Sequence, residues 1–286
     1  YQNRNDPHNH RRRELMIIDC HGHYTTEPKD LHRFRKEQTE AVKNKSAMPP
    51  RTGFKMSDDE IRESLEQNQI RLQKERGTDV TIFSPRASGM GHHVGDESVS
   101  IEWTQICNDL IHRCVTLFPK NFIGVCQLPQ SMNVPPKNSA KELERCVKEL
   151  GFVAVATAAH SAGRNLDHPD LYPFYAKAEE LGVPVCVHVG SGRPAAAADR
   201  FDNAFFVHAT THAFEQMIGV MCIVGGGILE LYPKLKVAFL EAGAGWVPYW
   251  MERLDEHYEY LQPTVPLIKK PPSEYMRSEQ VYYSFE

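Results

Sequence analysis

The chain has 286 residues, of which 41% are hydrophobic and 24% charged, the balance of a globular protein with enough material for a sizeable core. A formal net charge of −4 gives no sign of a surface for nucleic acid or anionic lipid. The longest apolar stretch, 217–229, is too short for a membrane span and is broken by Gly219 and Gly225-Gly226-Gly227.

The polar start, YQNRNDPHNHRRRE (1–14), has no apolar run of the secretory kind and is expected to lie outside the fold, with His8 and His10 solvated. From residue 15 short apolar runs alternate with helical periodicity. Leu15-Met16-Ile17-Ile18 predicts a strand over 15–20, covered on both faces as parallel strands are. Ser57-x-x-Glu60 is a capping box that opens a helix closing near Gly77. A strand over 79–84 follows. Next comes a helix whose stripe is Trp103, Ile106, Cys107, Leu110, Ile111, Cys114 and Leu117, stopped by Pro119. Further strands are predicted over 121–128, 151–156, 183–189, 236–241 and 281–285, and helices over 139–150, 169–181, 212–231 and 246–261.

Such alternation predicts a parallel α/β sheet, and seven strands approach the eight of a (β/α)8 TIM barrel. No Gly-rich dinucleotide fingerprint follows the first strand and no GxxxxGK[ST] is present, which disfavours an open doubly wound sheet. The expectation is one barrel domain over 15–286, its last strand not in this chain. The cysteines at 20, 107, 114, 126, 146, 186 and 222 stand singly with no CxxC pair, which points to a reduced, cytoplasmic protein.

The chemistry gathers at the predicted strand ends, where barrel active sites form. In IIDCHGH (17–23), His21 and His23 are two residues apart and project to the same side of a strand. His188 ends the fifth strand and Glu241 the sixth. Three imidazoles and a carboxylate from one rim suit a divalent ion, zinc first and manganese as the alternative, with a position open for water. Arg86, after the second strand, and Arg193, after His188, are candidates for bidentate capture of a substrate carboxylate. His92 and His93 follow Arg86 in a Gly-containing loop, and His92 is a candidate for proton transfer. His160 and Arg164, after the fourth strand, carry less weight. His208 and His212 have one-face helical spacing but lack the HExxH glutamate, so His212 is assigned to support or capping. Asp199-Arg200 reads as a structural ion pair or subunit contact. Cys20 reads as packing, because nothing marks it as a low-pKa thiol. Trp246, Tyr249 and Trp250 read as core or as the surface of a homodimer or higher homo-oligomer.

Long blocks of the chain resemble the amidohydrolase superfamily, in its amidohydrolase-related branch of decarboxylases and hydratases. MIIDCHGHYTT (16–26), TIFSPRAS (81–88), NFIGVCQLPQ (121–130) and CVKELGFVAV (146–155) are similar to the 4-oxalomesaconate hydratases of that branch. ADRFDN (198–203), HAFEQM (212–217), LEAGAGWVPYWMERLDEHYE (240–259) and PSEYMRS (272–278) resemble a broader set of members. The resemblance implies an amidohydrolase-type TIM barrel with His21 and His23 as the first-strand metal pair and His188 as the fifth-strand ligand. The family's strand-eight aspartate has no counterpart, because the sequence stops at Glu286 on strand seven. Leu240-Glu241-Ala242-Gly243 stands where hydratases and decarboxylases of the branch carry a strand-six histidine, which leaves Glu241 as general base or extra metal contact. The implied activity is that of a metal-dependent lyase, a hydratase or decarboxylase, acting on a small carboxylated aromatic or ring-cleavage compound. Two alternatives stand beside it: a metal-dependent hydrolase of an ester, lactone or amide, and a ligand-binding barrel without turnover.

Overall fold

A computed structural model describes residues 16–85, 94–131, 136–161, 163–189 and 198–285. Seven strands form one parallel sheet: β1 (Ile18–Tyr24), β2 (Val80–Pro85), β3 (Phe122–Gln127), β4 (Ala154–Ala158), β5 (Val185–His188), β6 (Val237–Phe239) and β7 (Val281–Tyr283). Strands follow one another across the sheet in chain order. Helical crossovers link most of them, so the seven-stranded sheet curls in one sense, as the strands of a (β/α)8 barrel do. A two-residue antiparallel hairpin, His160–Ser161 with Arg164–Asn165, sits between β4 and β5.

The first strand departs from expectation in two ways. It starts later and runs on through both histidines to Tyr24, with His23 paired to Ser84 and Tyr24 to Pro85. It is also not covered on both faces: Ile17 and Ile18 are exposed. The reason is topological, since β1 and β7 are the two edges of the sheet among the described residues. The fourth strand likewise begins at Ala154 rather than 151, because Gly151 turns the chain at φ +72°.

The outer layer begins with α1 (Lys29–Asn44), which the sequence reading did not anticipate: its buried stripe is Leu31, Phe34, Gln38 and Ala41, too polar to register as apolar periodicity. Helix α2 (Asp58–Leu65) carries both arms of the capping box. The Ser57 hydroxyl accepts from Glu60 N at 3.2 Å, and the Glu60 carboxylate accepts from Ser57 N at 2.8 Å. It passes through one wider turn, Glu66–Ile70, into α3 (Arg71–Arg76), closed by left-handed Gly77. Then come α4 (Glu97–Leu117), α5 (Lys137–Lys148), α6 (Tyr172–Leu181), α7 (Ala204–Gly225), α8 (Ile228–Leu231), α9 (Val247–Leu261) and α10 (Pro272–Met276). Helix α7 starts eight residues before its expected position. The Asn203 side chain caps it by accepting from Phe206 N at 3.0 Å, and Gly227 breaks it from α8.

Among the described residues, buried apolar side chains form two separate clusters. The larger lies between sheet and helices and includes the expected α4 stripe from Trp103 to Cys114. The smaller fills the inside of the curl with Val125, Ala154, Ala156, Cys186 and Leu240, residues compact enough for a tightly curved sheet. The polar site sits above this inner plug, at the carboxyl ends of the strands.

Candidate metal centre

Strand β1 is irregular where it brings its histidines to the rim. The register with β2 shifts between Asp19 and Gly22, a bulge that re-aims the strand end. Gly22 is pressed against β2 so closely that an added Cβ would lie 2.1 Å from Thr81 Cγ2. His21 and His23 flank Gly22 in the chain, and their ring centroids are 4.6 Å apart. The ring of His188, buried at the end of β5, lies 5.1 Å from His21 and 4.9 Å from His23.

Glu241 completes the group from the loop after β6. Its backbone is left-handed at φ +62°, a conformation costly for a residue with a Cβ and one that recurs at functional sites. Hydrogen bonds on either side hold it: Leu240 N donates to Val187 O at 3.0 Å and Glu241 N donates to Ser284 Oγ at 3.1 Å. The carboxylate is thereby fixed to β5 and to the chain just after β7. Glu241 Oε2 stands 2.6 Å from His188 Nε2, and one ligand atom from each of His21, His23, His188 and Glu241 lies within 4.8 Å of the others.

Tautomers follow from the outer hydrogen bonds. Pro85 O, a carbonyl, lies 3.0 Å from His23 Nδ1, so Nδ1 carries the proton. The Ser84 hydroxyl, 2.7 Å from the same nitrogen, donates its own proton to Gly22 O at 3.0 Å. Val189 O lies 2.9 Å from His188 Nδ1, with the same consequence. Both imidazoles therefore turn a bare Nε2 lone pair inward, and these two atoms are 3.1 Å apart. His21 Nε2 is buried with no hydrogen-bond partner. Two inward lone pairs, a third buried imidazole nitrogen without a partner and a carboxylate face one another, a set rich in acceptors. A cation is what satisfies such a set.

The electrostatics agree. Burial, then the neighbouring His188 and His21, depress the His23 imidazole to about 4, and burial and His188 move His21 the same way. Both rings are neutral at pH 7, the form that binds metal. Burial works to raise the Glu241 carboxyl, but the close approach of the His188 ring and the neighbouring imidazoles of His21 and His23 outweigh it and hold it at about 2.

The structure brings together all four residues expected at the rim: His21, His23, His188 and Glu241. Arg86, His92, His93 and Arg193 lie outside the described residues. Two further side chains stand beside these four, and the sequence reading had not named Ser84. Ser84 had no spacing signal, since it meets His23 only through β1–β2 register. His212, assigned to support, sits on the inner side of α7 with Nε2 3.9 Å from Glu241 Oε2, and its ring stacks on His208 at 4.2 Å. Helix α7 is tied down here by Gln216, whose Nε2 donates to Val187 O and Leu240 O, both at 2.9 Å. Arg164 pairs with Asp170 at 2.8 Å, a structural contact on the hairpin. Asp199 and Arg200 are exposed on a single turn. Cys20 is an exposed residue rather than a packed one, and partial desolvation of its thiol and the nearby Asp19 raise its pKa, the opposite of what activates a thiol.

Comparison with known proteins places the chain. The amidohydrolase family profile matches residues 18–285, and the chain belongs to that family of enzymes. It is 43% identical over 275 residues to the 2-keto-4-carboxy-3-hexenedioate hydratase of Sphingobium sp., a match covering 94% of this chain and 75% of that protein. Among solved structures, it matches 4-oxalomesaconate hydratase from Rhodopseudomonas palustris with TM-score 0.73 and 36% identity, over 94% of this chain and 73% of that one. It also matches a dihydroxybenzoic acid decarboxylase from Polaromonas sp., solved with bound manganese and the inhibitor 2-nitroresorcinol. There the TM-score is 0.68 at 25% identity, over 94% of this chain and 78% of that one.

Proposed function

We propose that this chain is a metal-dependent lyase that hydrates a small, carboxylated ring-cleavage compound. The observation that carries the reading is the convergence of three imidazoles and one carboxylate at a strand-end rim, one ligand atom of each within 4.8 Å of the others. The likeness to a hydratase over 94% of the chain supports hydration ahead of decarboxylation.

His21, His23 and His188 would hold one divalent cation, and Glu241 would either add a fourth contact or face the substrate. Nitrogen-rich donors suit zinc, and the decarboxylase relative holds manganese. When bound, the cation supplies Lewis-acid polarisation of a substrate oxygen and lowers the pKa of water toward ~7. The remaining work belongs to the chain. Glu241, whose carboxylate stands among the three imidazoles, is the side chain placed to accept a proton from the attacking water. Ser84 and Pro85 O fix the His23 tautomer, and the Gln216 bonds hold the β5 and β6 ends in register beneath the site. Arg86 and Arg193 would clamp substrate carboxylates and set orientation, and His92 would serve as a second proton carrier. We further assign residues 15–286 to one barrel domain acting in the cytoplasm. Among the described residues no helix is long and apolar enough to cross a membrane.

The test is metal analysis of the purified protein followed by a substrate panel. Near-stoichiometric divalent metal, lost in the His21→Ala/His188→Ala double variant, is expected. Unsaturated tricarboxylates should lose conjugated ultraviolet absorbance without CO2 release. CO2 release from hydroxybenzoates would replace hydration by decarboxylation, and turnover of esters or lactones alone would end the lyase assignment.

A further inference from the structure

His212 differs from the other imidazoles at the rim in where its proton can sit. His23 and His188 each have a backbone carbonyl at Nδ1, so both turn a bare Nε2 inward. His212 is the reverse case. Its Nδ1 is buried with no hydrogen-bond partner among the described residues, while its Nε2 faces Glu241 Oε2 at 3.9 Å. The proton belongs on Nε2, the side where an acceptor stands. Packing fixes the ring in this place. His208, His212 and Gln216 recur at i, i+4 and i+8, one face of α7. Gln216, at the foot of the ladder, bonds the ends of β5 and β6, and His208 stacks on the His212 ring at 4.2 Å with 25° between the planes.

We infer that His212 is a positioning residue for Glu241: its Nε2–H donates to the carboxylate and holds it turned toward the reacting water. The inference rests on the proposed reading of Glu241 as the proton acceptor of the site. Glu241 needs such a partner. The bonds made by Leu240 N and Glu241 N fix its main chain only. Its Oε2 lies 2.6 Å from His188 Nε2, but the His188 proton is on the far side of that ring, so the contact sets one acceptor against another. The nitrogens of His21, His23 and His188 form the ligand set, and His212 stands outside it. The 3.9 Å separation exceeds a hydrogen bond of about 2.7–3.2 Å by less than the reach of one side-chain rotation. Turning the carboxylate to His212 also relieves its contact with His188. One oxygen held by His212 leaves the other for water. A purely structural histidine would bond to the scaffold, and neither ring nitrogen of His212 does so among the described residues.

Nitrogen NMR of the whole, zinc-loaded chain carrying isotope-labelled histidine tests the inference without turnover. The His212 signals, assigned by their loss in His212→Gln, should show the Nε2–H tautomer and should shift in Glu241→Gln. A ring protonated at Nδ1 with a bare Nε2, or signals indifferent to Glu241→Gln, overturns the inference. The same tautomer is expected in metal-free protein, so these signals decide it even where metal analysis or the substrate panel refutes the proposed function. Kinetics on the unsaturated tricarboxylate that the panel turns over supply a second arm. His212→Phe should lower kcat about 10–100-fold with KM within about twofold, and His212→Gln, which keeps an N–H at similar reach, should recover most of the loss. In a Glu241→Gln background His212→Phe should cost nothing further, because the two side chains act as one unit. A full additional loss there, or a loss confined to KM, overturns the inference. Circular dichroism checks folding. If His212→Phe fails to fold, the nitrogen signals of the wild type and His212→Gln decide.

Discussion

Gly22→Ala isolates the local packing on which the histidine pair depends. The backbone at Gly22 is not left-handed, so alanine brings no conformational penalty, and the whole effect is steric. The new methyl would lie 2.1 Å from Thr81 Cγ2, whereas carbon atoms rest about 3.5–4.0 Å apart, so something must yield by about 1.5 Å. Thr81 is buried and its hydroxyl accepts from Gln73 Nε2 at 2.8 Å, so rotating it away breaks a buried hydrogen bond. Moving β1 instead displaces His21 and His23 from their partners. Overpacking of this kind costs about 1–3 kcal/mol, and the severity of the overlap places Gly22→Ala near ~3 kcal/mol. Thr81→Ser removes Cγ2 and keeps the hydroxyl; alone it should cost about 1 kcal/mol. The double variant should recover at least ~1 kcal/mol relative to additivity, because the clash is gone. Urea unfolding of all four proteins measures the cycle, and metal titration of the same samples reports the histidines. An unperturbed Gly22→Ala protein, or a double variant as unstable as the sum of its parts, would refute the reasoning.

Other outcomes follow from the same geometry. Ser84→Ala removes a contact to His23 Nδ1 and should weaken divalent-metal binding about 10–100-fold while leaving the unfolding midpoint of the metal-free protein nearly unchanged; equal affinity in calorimetry would remove Ser84 from the site. Glu241→Gln should lower kcat by about 10²–10⁴-fold with metal content retained if the carboxylate acts as base, whereas loss of metal would make it a ligand. Chelator-treated protein should lose stability as pH falls. The unfolded chain protonates histidine near 6.5 while folded His23 waits until about 4, so the unfolded state binds more protons across that window. Glu241 extends the trend below 4.5 toward about 2. Stability that stays flat between pH 6.5 and 4 in urea titrations, or an unchanged slope in His23→Asn, would contradict this assignment.

Much of this molecule was written in local pattern. The seven strands, the Ser57–Glu60 capping box, the α4 stripe and the strand-end positions of His21, His23, His188 and Glu241 all rest on periodicity and short-range hydrogen bonding, which a few consecutive residues determine. Contacts between distant segments were decided elsewhere. Ser84 reaches His23 through strand register, and His212 approaches Glu241 because α7 begins at Ala204 and is fastened by Gln216. The exposure of Ile18 follows from β1 being an edge. An isolated strand can place two imidazoles on one side. Only the curl of the sheet sets a third, 165 residues away from His23, at 3.1 Å with its lone pair turned inward.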